Sequence, residues 1–355
     1  MTLVLLIATL LSQAAAPAPT PPRPPATPGQ SRPADRQAAK TPAASIDLEV
    51  LRTQVMLDRA GFSSGAIDGK MGENTKKALA QYQNQAPAAA AAAAVDALTA
   101  YTITAADAAG PFVPSIPADL AQQATLFSLA YTSLLESLAE RFHSTPALLQ
   151  QLNPGMEFKE GDQIQVPNVE PLIAPVEKPE PSAEALATAA KERAARPAGT
   201  SGRRGTAAPK QPNTVAMRPD VTVTVSRASS ALMVEDAGGR TILYAPVTTG
   251  SEHDPLPVGE WQVTGIQFNP AFNYNPDLFW DADPSHAKAK IPAGPNNPVG
   301  LVWIDLSKEH YGIHGTPEPA SIGRSQSHGC VRLTNWDALR LAGLVKPGTR
   351  VVFSE

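Results

Sequence analysis

A single cysteine, Cys330, and two of the six histidines, His314 and His328, fall within the stretch YGIHGTPEPASIGRSQSHGCVRL at 311–333. A thiol is a poor nucleophile until its proton is removed, and a neighbouring imidazole removes it. Two imidazoles within 17 positions of the chain's only thiol therefore read as a nucleophilic site. Gly329 lets the backbone approach a substrate closely, and the amides of Gly329 and Cys330 are placed to bind an oxyanion. The loop at 315–326 carries two prolines and Gly323, the composition of an ordered excursion that returns Cys330 towards His314.

Other readings of the same residues compete. His310 and His314 are four apart, as in a zinc-binding HExxH helix, but Tyr311 fills the acidic position and Gly312 interrupts. The preceding VWIDL is strand-like, so the helix face that a zinc site requires is missing. Ser327 beside His328 lacks a Gly-x-Ser-x-Gly elbow. Hydrogen-bonded core histidines account for one imidazole, but not for a cluster with Cys330, Arg332 and glycines. A buried structural cysteine sits badly between Ser327-His328-Gly329 and Arg332, so the reactive thiol is the stronger reading.

The elements that must position this site are legible in the pattern at 220–355. VTVTVSRASSALMVEDAGGRTILYAPVTTG alternates strongly and turns at Gly238-Gly239, which predicts a β-hairpin. Further short strands are expected in PVGEWQVTGIQFNP, GLVWIDLS, YGIHGT and TRVVFS, and a short amphipathic helix in NWDALRLAGL at 335–344. A mostly β region of this length supports one core.

The rest of the chain is uneven. Of 355 residues, 36 are proline, and they cluster, so part of the length is linker. Lys plus Arg number 29 against 33 for Asp plus Glu, a net charge of −4 that gives no basic footprint for nucleic acid. Residues 1–16 hold an apolar run from Leu3 to Leu11 followed by small residues, the length of a signal-peptide core and too short to span a bilayer. An exported chain is expected, in the periplasm or cell envelope of a bacterium, with no transmembrane anchor after cleavage. One cysteine allows no internal disulfide. Residues 17–45 and 169–219 read as disordered Pro/Ala-rich linkers, and 86–94 as an alanine-rich hinge or spacer.

Two smaller modules precede the catalytic region. Residues 46–86 predict a helical hairpin joined through Gly61, Gly65, Asp68-Gly69 and Gly72, with a second helix from Glu73. In that glycine pattern, with Thr75 at the helix start, the segment resembles the peptidoglycan-binding-domain family. Residues 98–168 predict two helices broken at Ser144-Thr145-Pro146 and a strand in GDQIQVPNV, with Tyr101-Thr102-Ile103 as a displaced first strand. This resembles a divergent LysM module, either glycan-binding or a structural spacer. The fold class is multidomain α+β, with small N-terminal helical domains linked to a mostly β C-terminal domain.

SHGCVRL, with IHGT sixteen residues before the cysteine, is similar to the signature of the L,D-transpeptidase (YkuD-type) family. TTG at 248–250, PLPVGEW at 255–261, NPVGLVWIDLS at 297–307 and TNWDALRLAGLVKPGTRVVF at 334–353 extend the resemblance. It implies peptidoglycan cross-linking through a cysteine acyl-enzyme on a tetrapeptide stem donor, with no metal or organic cofactor. Cys330 is then the nucleophile, His314 its base, and the Gly315 carbonyl the group that orients His314. His328, Ser327 and Arg332 shape the pocket, Arg332 facing a stem carboxylate, and Gly329 belongs to the oxyanion site. The partner is peptidoglycan, with an outer-membrane lipoprotein as a further acceptor. Hydrolysis of the same stems as a carboxypeptidase or endopeptidase, and a non-catalytic wall-binding protein, are the alternatives.

Overall fold

The computed structural model describes residues 46–85, 96–173 and 220–355. The expectations for 1–16, 17–45, 86–94 and nearly all of the 169–219 linker lie outside those residues.

The helical hairpin forms as α1 (Leu48–Arg59) and α2 (Glu73–Gln85). Asp47 caps α1 by accepting from the amides of Glu49 and Val50, which satisfies donors that a helix start leaves open. Next comes a two-stranded antiparallel ladder of β1 (Leu98–Thr102) and β2 (Gln163–Pro167), with Leu98 opposite Pro167. Between them lie the one-turn helices α3 (Ala105–Ala108) and α4 (Leu120–Gln123), then α5 (Leu134–Arg141) and α6 (Pro146–Leu152). Thr145 caps α6 with Pro146 at its first turn. The first strand thus starts earlier than Tyr101. It lacks apolar alternation because only Leu98 and Tyr101 turn towards the core, and the excursion at 103–133 separates it from its helices.

In the C-terminal region, β3 (Val221–Ser226), β4 (Ala231–Asp236), β5 (Thr241–Pro246) and β6 (Gly259–Phe268) are followed by a small ladder of β7 (Phe272–Tyr274) and β8 (Ala289–Ile291). Then come β9 (Val302–Leu306), β10 (Gly312–His314), β11 (Val331–Arg332), helix α7 (Asn335–Leu344) and β12 (Arg350–Ser354). The main sheet runs β11-β10-β9-β6-β12-β3-β4-β5. Three strands, not one hairpin, fill 221–246. The additional turn at 227–230 contains no glycine, and Ser230 takes the left-handed backbone (φ 51°) in its place. Beyond β5 the chain crosses to the far edge, where Thr248 and Arg332 exchange backbone bonds of 3.1 and 2.9 Å. The sheet therefore curls around a core of Val223, Leu232, Val263, Ile304, Ile313 and Val331, closed by Trp336 and Leu341 of α7.

The small modules dock onto this domain. The free edge of β5, where unpaired amides and carbonyls invite aggregation, is covered by residues 61–63. Ser63 donates to the Tyr244 carbonyl and Tyr244 to the Gly61 carbonyl, both at 2.8 Å. Gly61 has a positive φ, and a Cβ there would lie 2.8 Å from the Ile242 carbonyl oxygen, so the approach needs a glycine. A buried polar knot locks three segments together. Asp58 of α1 receives Arg340 of α7 at 2.7 and 3.2 Å and His143 at 3.0 Å. The His143 ring stacks on Trp336 at 5.1 Å, and Ser63 donates to Asp337 at 2.7 Å.

Burial alone would raise the Asp58 pKa, but His143 and Arg340 more than reverse it, to about 2. A depressed carboxylate contributes stability above its ordinary 3.8 and loses it as pH falls from there towards about 2. Asp58→Asn is expected to cost about 3 kcal/mol at neutral pH, since it removes the shorter of the two ion pairs of Arg340 and leaves only Asp337 at 3.6 Å. In acid unfolding the gap between wild type and variant should narrow from pH 3.8 downward and close towards about 2. Denaturant melts at several pH values measure both.

Candidate active site

The geometry of the site follows from one parallel pairing. β10 and β11 lie side by side with Ile313 opposite Val331 and His314 opposite Arg332. Ile313 and Val331 point into the core, so His314 and Arg332 share the other face. One step back along that register sets Cys330 across from Gly312. Cys330, His314 and Arg332 thus line one face of two adjacent strands, with only a hydrogen at Gly312 between them. On the same face of β9, the Trp303 ring stacks on His314 at 5.4 Å and an interplanar angle of 21°. A Cβ at 312 would lie 2.5 Å from that ring, so Gly312 is what allows Trp303 to lie across it.

His314 is buried (4% exposed) and bonds through Nδ1 to the Gly315 carbonyl at 2.7 Å. A carbonyl only accepts, so Nδ1 carries the proton and Nε2 keeps its lone pair. Burial, followed by the nearby Arg332 guanidinium, pulls the imidazole down to about 3, so the ring is neutral at physiological pH. Burial likewise raises the Cys330 thiol, opposed by the Gly312 amide and by Arg332. The resting pair is therefore thiol and neutral imidazole, not a preformed ion pair. In keeping with this, the half-buried thiol donates at 3.8 Å to the carbonyl of His310 rather than to His314. Proton transfer belongs to the moment of attack.

The turn at 327–330 is held by the Ser327 hydroxyl, which donates to the Cys330 carbonyl at 2.6 Å. Ser327 is itself fixed by backbone bonds to Thr249 and Ser251. Gly329 has φ +100°, and a Cβ there would meet the Tyr311 ring at 2.8 Å. Among the described residues, neither the Gly329 nor the Cys330 amide is spent on a hydrogen bond. Arg332 is mostly buried, its Nε has no partner, and no carboxylate of the described residues makes an ion pair with it. His328 donates from Nε2 to Asp281 at 2.7 Å and meets the rings of Phe279 and Trp280.

Sequence reasoning passed over 269–295, which supplies Asp281 and these aromatic rings. That segment is braced from the middle module: Leu129 packs with Tyr274 and Ile291, and His286 bonds both Tyr274 and Asp119. Trp303 and Tyr311 were also missed as site residues, although the alternation of VWIDL carries the signal for the first. Among the described residues, no group of three or more His, Cys, Asp and Glu side chains is arranged to hold a metal.

Residues 220–353 match the family described as L,D-transpeptidase catalytic domain. That region is similar to the L,D-transpeptidase catalytic domain. Residues 47–86 match the peptidoglycan binding domain family. A Bacillus subtilis protein named L,D-transpeptidase YkuD is 53% identical over 60 residues, which is 17% of this chain and 37% of that protein. Its Bacillus licheniformis counterpart is 27% identical over 220 residues, 61% of this chain and 91% of that one. The L,D-transpeptidase YbiS of Escherichia coli K12 is 32% identical over 136 residues, 37% of this chain and 44% of that one. A solved L,D-transpeptidase 3 from Mycobacterium tuberculosis, in complex with a faropenem-derived adduct, has 19% identity and a TM-score of 0.32. It covers 39% of this chain and 61% of that one.

A neutral base and a raised thiol predict a distinct pH dependence. Alkylation of Cys330 by iodoacetamide should rise with pH and inflect above the ordinary thiol range, because the reagent reads the thiolate. An inflection at or below neutrality would mean a standing thiolate–imidazolium pair and would contradict this electrostatic picture.

Proposed function

We propose that the chain is an exported L,D-transpeptidase that cross-links peptidoglycan in the bacterial cell envelope, with residues 47–86 holding it to the wall. The observation that carries this reading is the shared face of Cys330, His314 and Arg332, with a neutral imidazole two residues along the register from the thiol. Cys330 attacks the carbonyl of the L-to-D peptide bond of a tetrapeptide stem while His314 Nε2 takes the thiol proton. The Sγ–C bond forms, the amides of Gly329 and Cys330 hold the oxyanion, and the peptide C–N bond breaks. The departing D-Ala amine takes the proton from His314. The amine of a second stem, or of a lipoprotein, then attacks the thioester and restores the thiol.

The remaining residues support these steps. Gly315 keeps the proton on Nδ1 so that Nε2 can act as base. Arg332, without a carboxylate partner, suits a stem carboxylate. Ser327 sets the turn that carries the nucleophile, and His328 with Asp281 forms the pocket wall beneath 269–295. Among the described residues, no helix is long and apolar enough to cross a membrane.

Two measurements test this. Incubation with a carbapenem should add one drug mass to the wild-type protein and none to Cys330→Ala; no adduct on wild type, or an equal adduct on the variant, overturns the assignment. Tetrapeptide stems should give cross-linked dimers, whereas tripeptide alone would show that water is the acceptor.

A further inference from the structure

Behind His314 the catalytic domain is completed by a side chain from another module. The carbonyl that fixes the tautomer of His314 belongs to Gly315, and Gly315 packs directly on Asn335 at the start of α7. A Cβ on Gly315 would lie 2.1 Å from Asn335 Oδ1, and one on Gly300 would lie 2.0 Å from the same atom. The amide oxygen therefore occupies a slot between two glycine backbones, where it accepts from the Leu301 amide at 2.9 Å. The opposite end of the amide, Nδ2, donates at 2.5 Å to Oε1 of Glu140 in α5, and also faces the Pro295 carbonyl at 3.3 Å. Asn335 is fully buried and Glu140 is 6% exposed.

An Asn side chain is nearly symmetric in shape, so only its partners decide which end is oxygen. Turned over, it would set its NH₂ against the Leu301 N–H and its oxygen against the Pro295 carbonyl, two opposed like pairs. We infer that Glu140 is a positioning residue for the His314–Cys330 pair, because its short hydrogen bond anchors the buried Asn335 amide on which the Gly315 corner rests. The inference rests on the transpeptidase reading of that site and adds that the middle module is needed for catalysis.

The surroundings of Glu140 agree with this role. Burial lifts its carboxyl to about 8, against hydrogen bonds from Asn335 and Tyr131, while the Glu136 charge on the same helix lifts it further. At neutral pH it is largely uncharged and acts as a hydrogen-bond partner, which a Gln amide can imitate.

Saturation kinetics of carbapenem acylation separate position from binding. Glu140→Met, similar in length but with no strong acceptor, should lower the limiting acylation rate on the order of ten-fold while the half-saturating concentration holds. Glu140→Gln should return the rate to within about two-fold of wild type. Tyr131→Phe, a milder change that removes the second brace on Glu140, should lower the rate by about three-fold and serves if Glu140→Met does not fold. The His314 Nδ1 proton, followed by NMR, should exchange faster in Glu140→Met than in wild type. Unchanged rates and unchanged exchange in folded variants overturn the inference, as does a loss that Gln fails to restore. A wild-type chain that no carbapenem acylates overturns the transpeptidase reading instead, and the exchange of the Nδ1 proton then decides the role of Glu140 by itself.

Discussion

The parallel pairing of β10 with β11 is the constraint on which the rest of the structure depends. It is short, with Ile313 against Val331 and His314 against Arg332, yet a slip of one residue would turn Cys330 away from His314. Its register is guarded on both sides. The core holds Ile313 and Val331 on one face, and on the other Trp303 lies over His314 in space that Gly312 leaves open. From outside, the segment after β5 locks Arg332 through two backbone bonds to Thr248. A strand of two residues holds no register by its own hydrogen bonds; its neighbours hold it.

The same logic runs through the attached modules. Their contact with the catalytic domain includes backbone pairing at 61–63, a buried ion pair between Asp58 and Arg340, and the Glu140–Asn335 bond. Buried polar groups cost free energy unless each is satisfied, and groups that are satisfied only across a module boundary fix one orientation of the modules. The modules and the catalytic domain are thus segments that share polar partners. The middle module reaches the site twice, behind His314 through Glu140 and over it through the contacts of Leu129 and Asp119 with 269–295.

Local patterns revealed what depends on near neighbours. The alternation in VTVTVS, the amphipathic spacing of NWDALRLAGL, and the clustering of His314, His328 and Cys330 are all visible within a few residues. The structure added what depends on distant partners. Glu140 sits in LLESLAERF and looks like a solvated charge on an amphipathic helix until Asn335, remote in sequence, buries it. The adjacency of His328 to Cys330 in sequence does not reveal that its ring turns towards Asp281. The turn at 227–230 escaped notice because a serine took the left-handed conformation that usually announces itself as glycine. The resting thiol bond to the His310 carbonyl follows from a backbone bend that no residue type signals.

The central claim is that His314, held neutral and aimed by Gly315, takes the proton of Cys330 as the thiol attacks. The most direct test is the single-turnover rate of Cys330 acylation by a peptide donor at saturation, in His314→Ala against wild type at ~pH 7. General-base catalysis of this kind is worth roughly 10²–10⁴-fold, so a loss of that size is expected, with donor binding little changed. A variant that acylates within about ten-fold of wild type would contradict the role of His314 as the base.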